Sequence, residues 1–524
     1  MKTISPKILL TLAGAFGFNI LFWQEKMGIN SLIFDVFIIS VVLSLYPGAL
    51  SRGSARWLLA GHLVSVAMVV IHNTMLSKIV ATTTIFLFAA FAEHIHRSVI
   101  FAAGSMVYQT GFLIAEFTEL LTQVKRQSNR KKWSFRKLRI VLFPLILLAI
   151  FFIVYIAANA AFASLTEKFA GIIENYFSNM ILWISWDRIL FILFGAYVTG
   201  SLIIKNRLPK LSDKELSLTD RLIRRKAKRT NSFTGVLNGL IDVFMGRFSK
   251  GMLALKNKNL IGLISFILLN LLLLIINITD VVYIWSGNDY GKNESYTELL
   301  HEGTGILIFS IILAIVVVLF FFEGNLNFYR KNKWLKIAAF AWLIQNAFLV
   351  CSVFMRDYYY ISHSGLAYKR IGVLFFLAMV LVGLASVLIK IYSKKSNYFL
   401  FRINGNVALF ILIICSFVNW DVMIAEYNLT RMDTIKPDVA FLLNMSDQTL
   451  PVIRRYESKL TEVTKHKIYK YGNSYPREEL SFSELLDKKE NKFITKYADH
   501  TWLSWNYADA TVYHLLKTSS VAIK

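Results

Sequence analysis

Long apolar runs broken by short polar turns set the pattern of this chain. A helix needs about 20 apolar residues to cross a hydrocarbon core of about 30 Å. Eleven segments meet that need: roughly 7–23, 30–48, 57–76, 79–96, 138–163, 186–204, 259–281, 303–323, 335–355, 371–391 and 403–420. Each run is continuous, whereas a membrane barrel would show ten-residue stretches of alternating character. The pattern predicts an all-α polytopic helical membrane protein with about 11 transmembrane helices. The stretch 98–121 begins apolar but carries Gln109, Glu116 and Glu119. It is left out of the count, as a cytosolic extension or an interfacial helix.

Beyond residue 420 the pattern changes. Apolar positions recur at helical spacing (Val439, Leu442, Leu443, then Leu450, Ile453), and no run is long enough to span. Residues 421–524 hold 15 basic and 14 acidic residues, which predicts a small helical extracytoplasmic module in water. The chain then divides into N-terminal transmembrane helices (1–121), a transmembrane core with basic loops (122–420) and the soluble module (421–524).

Composition excludes a soluble multidomain enzyme. Hydrophobic residues make up 56% and charged residues 17%, with mean hydropathy +0.51; soluble domains carry about 25% charged residues. The net charge of +25 would suggest nucleic acid in a soluble protein, but its distribution says otherwise. Eight basic and no acidic residues lie between Lys125 and Arg139, and 205–258 holds fourteen basic and four acidic. Short basic turns follow at Arg330, Lys331 and Lys333, and at Lys394, Lys395 and Arg402. Two spans separate each successive pair of loops. Lys and Arg collect in cytoplasmic loops, so all four share one side, joined by Arg52, Arg56 and Arg97. This places the chain in the cytoplasmic (inner) membrane, N-terminus cytoplasmic and C-terminus extracytoplasmic. The run Arg224-Arg225-Lys226-Ala227-Lys228-Arg229 has no nucleic-acid motif around it. The lipid bilayer is the expected partner, with anionic lipid against the Lys/Arg loops and no nucleic acid. Met1-Lys2 and the apolar residues after it read as an uncleaved first span, since no small-residue cleavage site precedes Trp23. Cys351 and Cys415 fall inside predicted spans and read as buried packing residues, with no disulfide framework or zinc site.

Ionisable groups near a bilayer are costly and are functional candidates by default. Asp280 closes one span; Glu298, His301 and Glu302 open the next; Arg356 and Asp357 close another; Lys369 and Arg370 open its successor; Asn419 and Asp421 follow the last. The topology brings all these termini to the extracytoplasmic side. Glu298 and Glu302 are four apart on one helix face, with His301 three from Glu298. Two or three such ligands, completed by His363 or Asp421, would make a metal site, but the pattern is not His-Glu-x-x-His. No metal and no cofactor is expected. An ion-pair network between Glu298/Glu302 and Lys369/Arg370 is the structural reading, and anion binding by Lys369 and Arg370 the alternative. Tyr358, Tyr359 and Tyr360 read as an interfacial belt, or as a stacking platform for a sugar. Gln345 and Asn346 lie mid-span, where amides bond a neighbouring helix.

These residues carry a resemblance. The chain resembles the bacterial multi-pass membrane family named domain of unknown function 4173, from about residue 138 onward. The matching stretches include Phe143-Pro144, Tyr296-Thr297-Glu298-Leu299-Leu300-His301-Glu302-Gly303 and Phe322-Glu323-Gly324-Asn325. Trp342-Leu343-Ile344-Gln345-Asn346, Gly365-Leu366-Ala367-Tyr368-Lys369-Arg370 and Asn419-Trp420-Asp421 follow. Tyr427-Asn428, Ser446-Asp447 and Trp502-Leu503-Ser504-Trp505-Asn506 complete the series. The resemblance implies a multi-pass membrane protein and no assigned activity. Three functions compete. The first is an envelope structural, sensory or assembly component, whose module meets an envelope protein partner. The second is a membrane-embedded enzyme acting on a lipid-linked or envelope substrate with Glu298, His301, Glu302, Tyr360, Lys369 and Arg370. The third is a transporter, ranked last because the ionisable groups fall at helix ends and not near the midplane.

Overall fold

A computed structural model describes residues 6–126, 185–204, 210–224, 254–285, 294–322, 324–435, 437–464, 469–471 and 478–522, with scattered positions in 148–168. Helices are the only spanning form open to these apolar runs apart from a closed barrel, because each backbone group must find its partner within the segment. In chain order they are α1 (Pro6–Phe22), α2 (Ile29–Leu45), α3 (Gly53–His72), α4 (Met75–Glu93), α5 (Val99–Arg126), α6 (Trp186–Ile203) and α7 (Lys210–Leu216). Then come α8 (Ala254–Asp280), α9 (Glu294–Phe321), α10 (Lys333–Ser364), α11 (Tyr368–Ser393) and α12 (Asn397–Cys415). Local chemistry sets their limits. Thr74, Ser185 and Ser396 accept from the backbone N–H of Ser77, Arg188 and Phe399 as N-caps, the role short hydroxyl side chains favour. Asn73 and Lys394 end α3 and α11 in the left-handed conformation.

Among the described residues eight helices are long and apolar enough to cross a membrane, and α1, α2 and Gly305–Phe321 of α9 are apolar but shorter. Ten of the eleven predicted segments coincide with helices; 138–163 lies largely outside the described residues. Among the described residues, length and composition thus support eight spans where the pattern predicted about eleven. One of the eight is the excluded stretch, Val99–Thr118 of α5. Gln109, which argued against it, is buried there, its amide donating to the Ser201 and Ile204 carbonyls at the end of α6 (2.7 and 2.6 Å). α5 nonetheless keeps to one end of its neighbours over 100–113. Phe101 meets Tyr398 in the first turn of α12, and Leu113 packs on Gly200 near the end of α6.

Two apolar cores hold the helices. Phe34, Ile38, Val42, Phe88 and Leu202 centre the first, among α2 to α6; Phe266, Ile311, Leu335, Leu343 and Leu384 centre the second, among α8 to α11. α12 joins them, with Leu400 in the second core and Leu409 in the first. Amides stitch α8 to α10: Gln345 donates to Asn270 Oδ1 (2.9 Å), and Asn277 to the Gln345 carbonyl (3.2 Å). The adjacent Asn346 instead bonds the Trp342 carbonyl of its own helix. Cys415 is buried as expected, but Cys351 is exposed. It shares the outward stripe of α10 with Ile344, Phe354 and Tyr358, so burial was the wrong expectation there.

The basic turns gather at one end. Arg52 donates to the Phe91 and His94 carbonyls, Lys7 to Tyr46, and Lys390 to the Phe322 carbonyl. The segment after α7 pairs with the α11–α12 turn, Leu222 N–H to Lys394 O and Ser396 N–H to Asp220 O. At the opposite end the chain continues as α13 (Trp420–Thr430), α14 (Val439–Leu443), α15 (Leu450–Arg455), α16 (Glu457–Val463), α17 (Phe482–Ala498) and α18 (Tyr507–Ala522). β1 (Tyr469–Tyr471) and β2 (Glu478–Leu480) add a short antiparallel pair, with Tyr469 opposite Leu480. Leu442, Ile453, Leu460, Leu486 and Phe493 form this module's own core. Arg454 binds it electrostatically through Glu490, Asp487 and Glu457 at 2.6, 2.5 and 2.9 Å.

Candidate functional site

The helix ends facing the module carry the expected polar residues, and four of those described are drawn into local contacts. Arg356 of α10 meets Asp280 of α8 at 2.5 Å, with the carboxylate nearly fully buried. Arg370, at the start of α11, caps the end of α10 by donating to the Ser364 carbonyl at 2.8 Å and to that of Gly365. Its guanidinium also lies 3.9 Å from the centre of the Tyr360 ring, a cation–π contact. Asp421 accepts from the Tyr368 hydroxyl (2.7 Å) and the Ser446 N–H (3.3 Å). Lys369 and His363 are exposed, and Asp357 is buried. Glu298, His301 and Glu302 lie on the first turns of α9, but their side chains fall outside the described residues. The described residues therefore bring Arg356, Tyr360, Arg370 and Asp421 to one end as separate contacts.

The module is fastened to this end in two places. Asn419 caps α13 and donates to Gln448 Oε1 (2.5 Å); the Gln448 amide reaches the His72 carbonyl (3.0 Å) and Asp509 (3.1 Å). The α1–α2 loop is held by the segment before α18. Glu25 accepts from Thr501 (2.7 Å) and from Ser504, Ser504 Oγ accepts from Lys26 N–H (2.8 Å), and Ile29 N–H donates to the Trp505 carbonyl (3.0 Å). Gly28 has to be glycine here, since a Cβ would stand 2.5 Å from the Trp505 oxygen. Asp509 faces Lys26 at 3.6 Å. Composition could not reveal this dock; its only trace was the tail motif around Ser504 and Trp505.

Sequence reasoning also missed two buried networks. At the basic end, Glu215 of α7 accepts from His96 (2.7 Å), Tyr398 (2.7 Å) and the Arg97 N–H (3.0 Å). Burial pushes this carboxyl up, but the three donors and the imidazole outweigh it and hold it below its ordinary value. Asp220 beside it bridges Arg97 (3.3 Å) and Arg402 (2.7 Å). The second network, Asp35 with His62, lies inside the membrane helices. Its signal was visible: an acid and an imidazole inside the predicted spans 30–48 and 57–76.

A family model matches residues 37–456, most of the 524-residue chain. The chain belongs to the family described as Domain of unknown function (DUF4153). The match begins within α2, far upstream of residue 138, and so takes in the N-terminal helices as well as the core. What the chain shares with domain of unknown function 4173 is the coarser character, a bacterial multi-pass membrane domain with no assigned activity. No curated protein and no solved structure matches this DUF4153 chain.

Proposed function

We propose that this DUF4153 protein is a structural, sensory or assembly component of the cell envelope. Its polar residues at the module end lock helix termini together, and its module offers the surface that an envelope partner meets. Closure of the polar groups carries this reading: Arg356 is taken up by Asp280, and Arg370 by the carbonyls ending α10. An enzyme acting at this interface would need several of these groups turned toward one accessible space. In the same reading the basic end faces the cytosol, because Lys and Arg are retained there, and the module lies outside.

The test is a double-mutant cycle in the full-length protein. Breaking a buried ion pair from one side costs about 3–5 kcal/mol, because the remaining charge is left without a partner. Arg356→Gln and Asp280→Asn should each lower folded yield in detergent, and the double variant should recover most of the loss. Wild-type yield in both single variants, together with lost cellular function, would overturn the lock in favour of chemistry or binding.

A further inference from the structure

Three polar side chains meet midway along the first helix group, away from both helix ends: the Asp35–His62 network and Thr84. His62 is the tenth of the twenty residues of α3 and is fully buried. Thr84 is the tenth of the nineteen of α4 and is equally buried. Asp35 of α2 completes the set, its side chain 13% exposed. The rise of 1.5 Å per residue puts His62 roughly 14 Å from either end of its helix. That is hydrocarbon depth, where an ionisable residue needs a partner and a reason. His62 Nε2 stands 3.4 Å from Asp35 Oδ2, and His62 Nδ1 stands 3.1 Å from Thr84 Oγ1.

Hydrogen-bond accounting shows what is missing. A threonine hydroxyl has one proton to give. Thr84 Oγ1 lies 2.8 Å from the Val80 carbonyl and 3.0 Å from that of Ala81, the usual back-bond of a helical threonine. With its proton spent there, the oxygen accepts from His62, so Nδ1 carries a hydrogen. Nε2 then faces a carboxylate oxygen at an ion-pair distance and has no hydrogen-bond partner among the described residues. If both groups were unprotonated, two lone pairs would oppose each other and a net negative charge would sit in the membrane core. One proton added between them removes both penalties.

We propose that Asp35 and His62 form an intramembrane proton-binding site that holds one proton between imidazole and carboxylate. The proton comes from water and adds one positive charge, making the pair neutral. Other ionisable groups on the surrounding helices sit toward their ends. Arg56 and His72 lie near the two ends of α3, and Lys78 and Glu93 near those of α4. Lys7 opens α1, Asp187 and Arg188 open α6, and Arg402 lies in the second turn of α12. α5 meets α4 at Glu93 through Gln109, and α18 meets α3 on the module side with Asp509. None of these substitutes for Asp35 beside the imidazole. The inference stands apart from the envelope reading, which it neither needs nor supports.

Solid-state NMR of the full-length protein in lipid nanodiscs, with 15N-histidine and 13C-aspartate, tests it at pH 8.5. A free imidazole, with its ordinary value of about 6.5, is only about 1% cationic there, and a free carboxyl is fully ionised. The expected spectrum shows the extra proton at most of the pairs, either as a doubly protonated His62 or as a protonated Asp35 carboxyl. Asp35→Asn should leave His62 a singly protonated ring and remove any protonated-carboxyl signal, and His96→Gln identifies the signal of the imidazole beside Glu215. A neutral His62 together with an ionised Asp35 in the wild-type spectrum overturns the proposal. That spectrum decides alone should Asp35→Asn fail to fold.

Discussion

Gly365 and Asn428 show how much of the closure at the module end depends on single side chains. Gly365 ends α10 with φ of +83°, and a Cβ there would stand 2.5 Å from Asn428 Oδ1. Asn428 grips the next residue through both of its polar atoms, accepting from the Leu366 N–H (2.7 Å) and donating to the Leu366 carbonyl (2.9 Å). Gly365→Ala forces a backbone conformation that costs about 1–3 kcal/mol for a residue with a Cβ, and the clash with the amide adds to it. The variant should melt several degrees lower in detergent, followed by thermal unfolding. Asn428→Ala strips a buried N–H and a buried carbonyl of their partner and should cost about 1–3 kcal/mol. The double variant should lose less than the sum of the two single losses, because both changes act on one contact. The sequence displayed both motifs, Gly365-Leu366 and Tyr427-Asn428, but their contact is tertiary. No spacing rule links residues separated by 62 positions.

At the scale of elements, apolar run length was enough to find the spanning helices, because lipid leaves the backbone little alternative. It could not say which polar residues would be satisfied. Gln109 and Glu116 read as signs against a span in α5, yet Gln109 serves the carbonyls that end α6. The docking of short elements is still less legible, and pH separates two of its cases. His500 lies beside the α1–α2 dock, and burial together with Lys26 pushes its imidazole below the ordinary 6.5. The unfolded or undocked chain then binds the proton more readily, so stability rises with pH. The dock should weaken as pH falls below 6.5. Glu215 is also depressed, so its contribution is complete above its ordinary 4.5 and is lost as pH falls through the lower folded value. Hydrogen exchange should therefore loosen residues 501–506 in mild acid while 210–216 stay protected. The reverse order would contradict both assignments.

For the whole molecule, the decisive regularity is that the polar helix ends fall into two groups on opposite sides. Loop charge alone placed Arg52, Arg97, Lys394 and Arg402 together, and Asp280, Arg356, Arg370 and Asp421 together at the far side. The contacts obey the same division. Arg97 and Arg402 share Asp220, whereas Arg356 reaches Asp280 and Asp421 reaches the module at Ser446. Such sorting fixes which groups are neighbours across the membrane plane but leaves the direction to the electrostatics of insertion, which retains Lys and Arg in the cytosol. The direction can be read by labelling. In a background with Cys351→Ser and Cys415→Ser, single cysteines at His363 and Asp433 test the module end, and those at Lys331 and Tyr392 test the basic end. His363, Tyr392 and Asp433 are exposed, so a maleimide can reach them without unfolding. In intact cells an impermeant maleimide should modify positions 363 and 433 and spare 331 and 392 until the membrane is opened. Labelling of 331 and 392 alone would invert the protein and put the module in the cytosol. Labelling of 363 together with 331 would dissolve the sorting itself, and with it the shared end on which the lock and the module's dock depend.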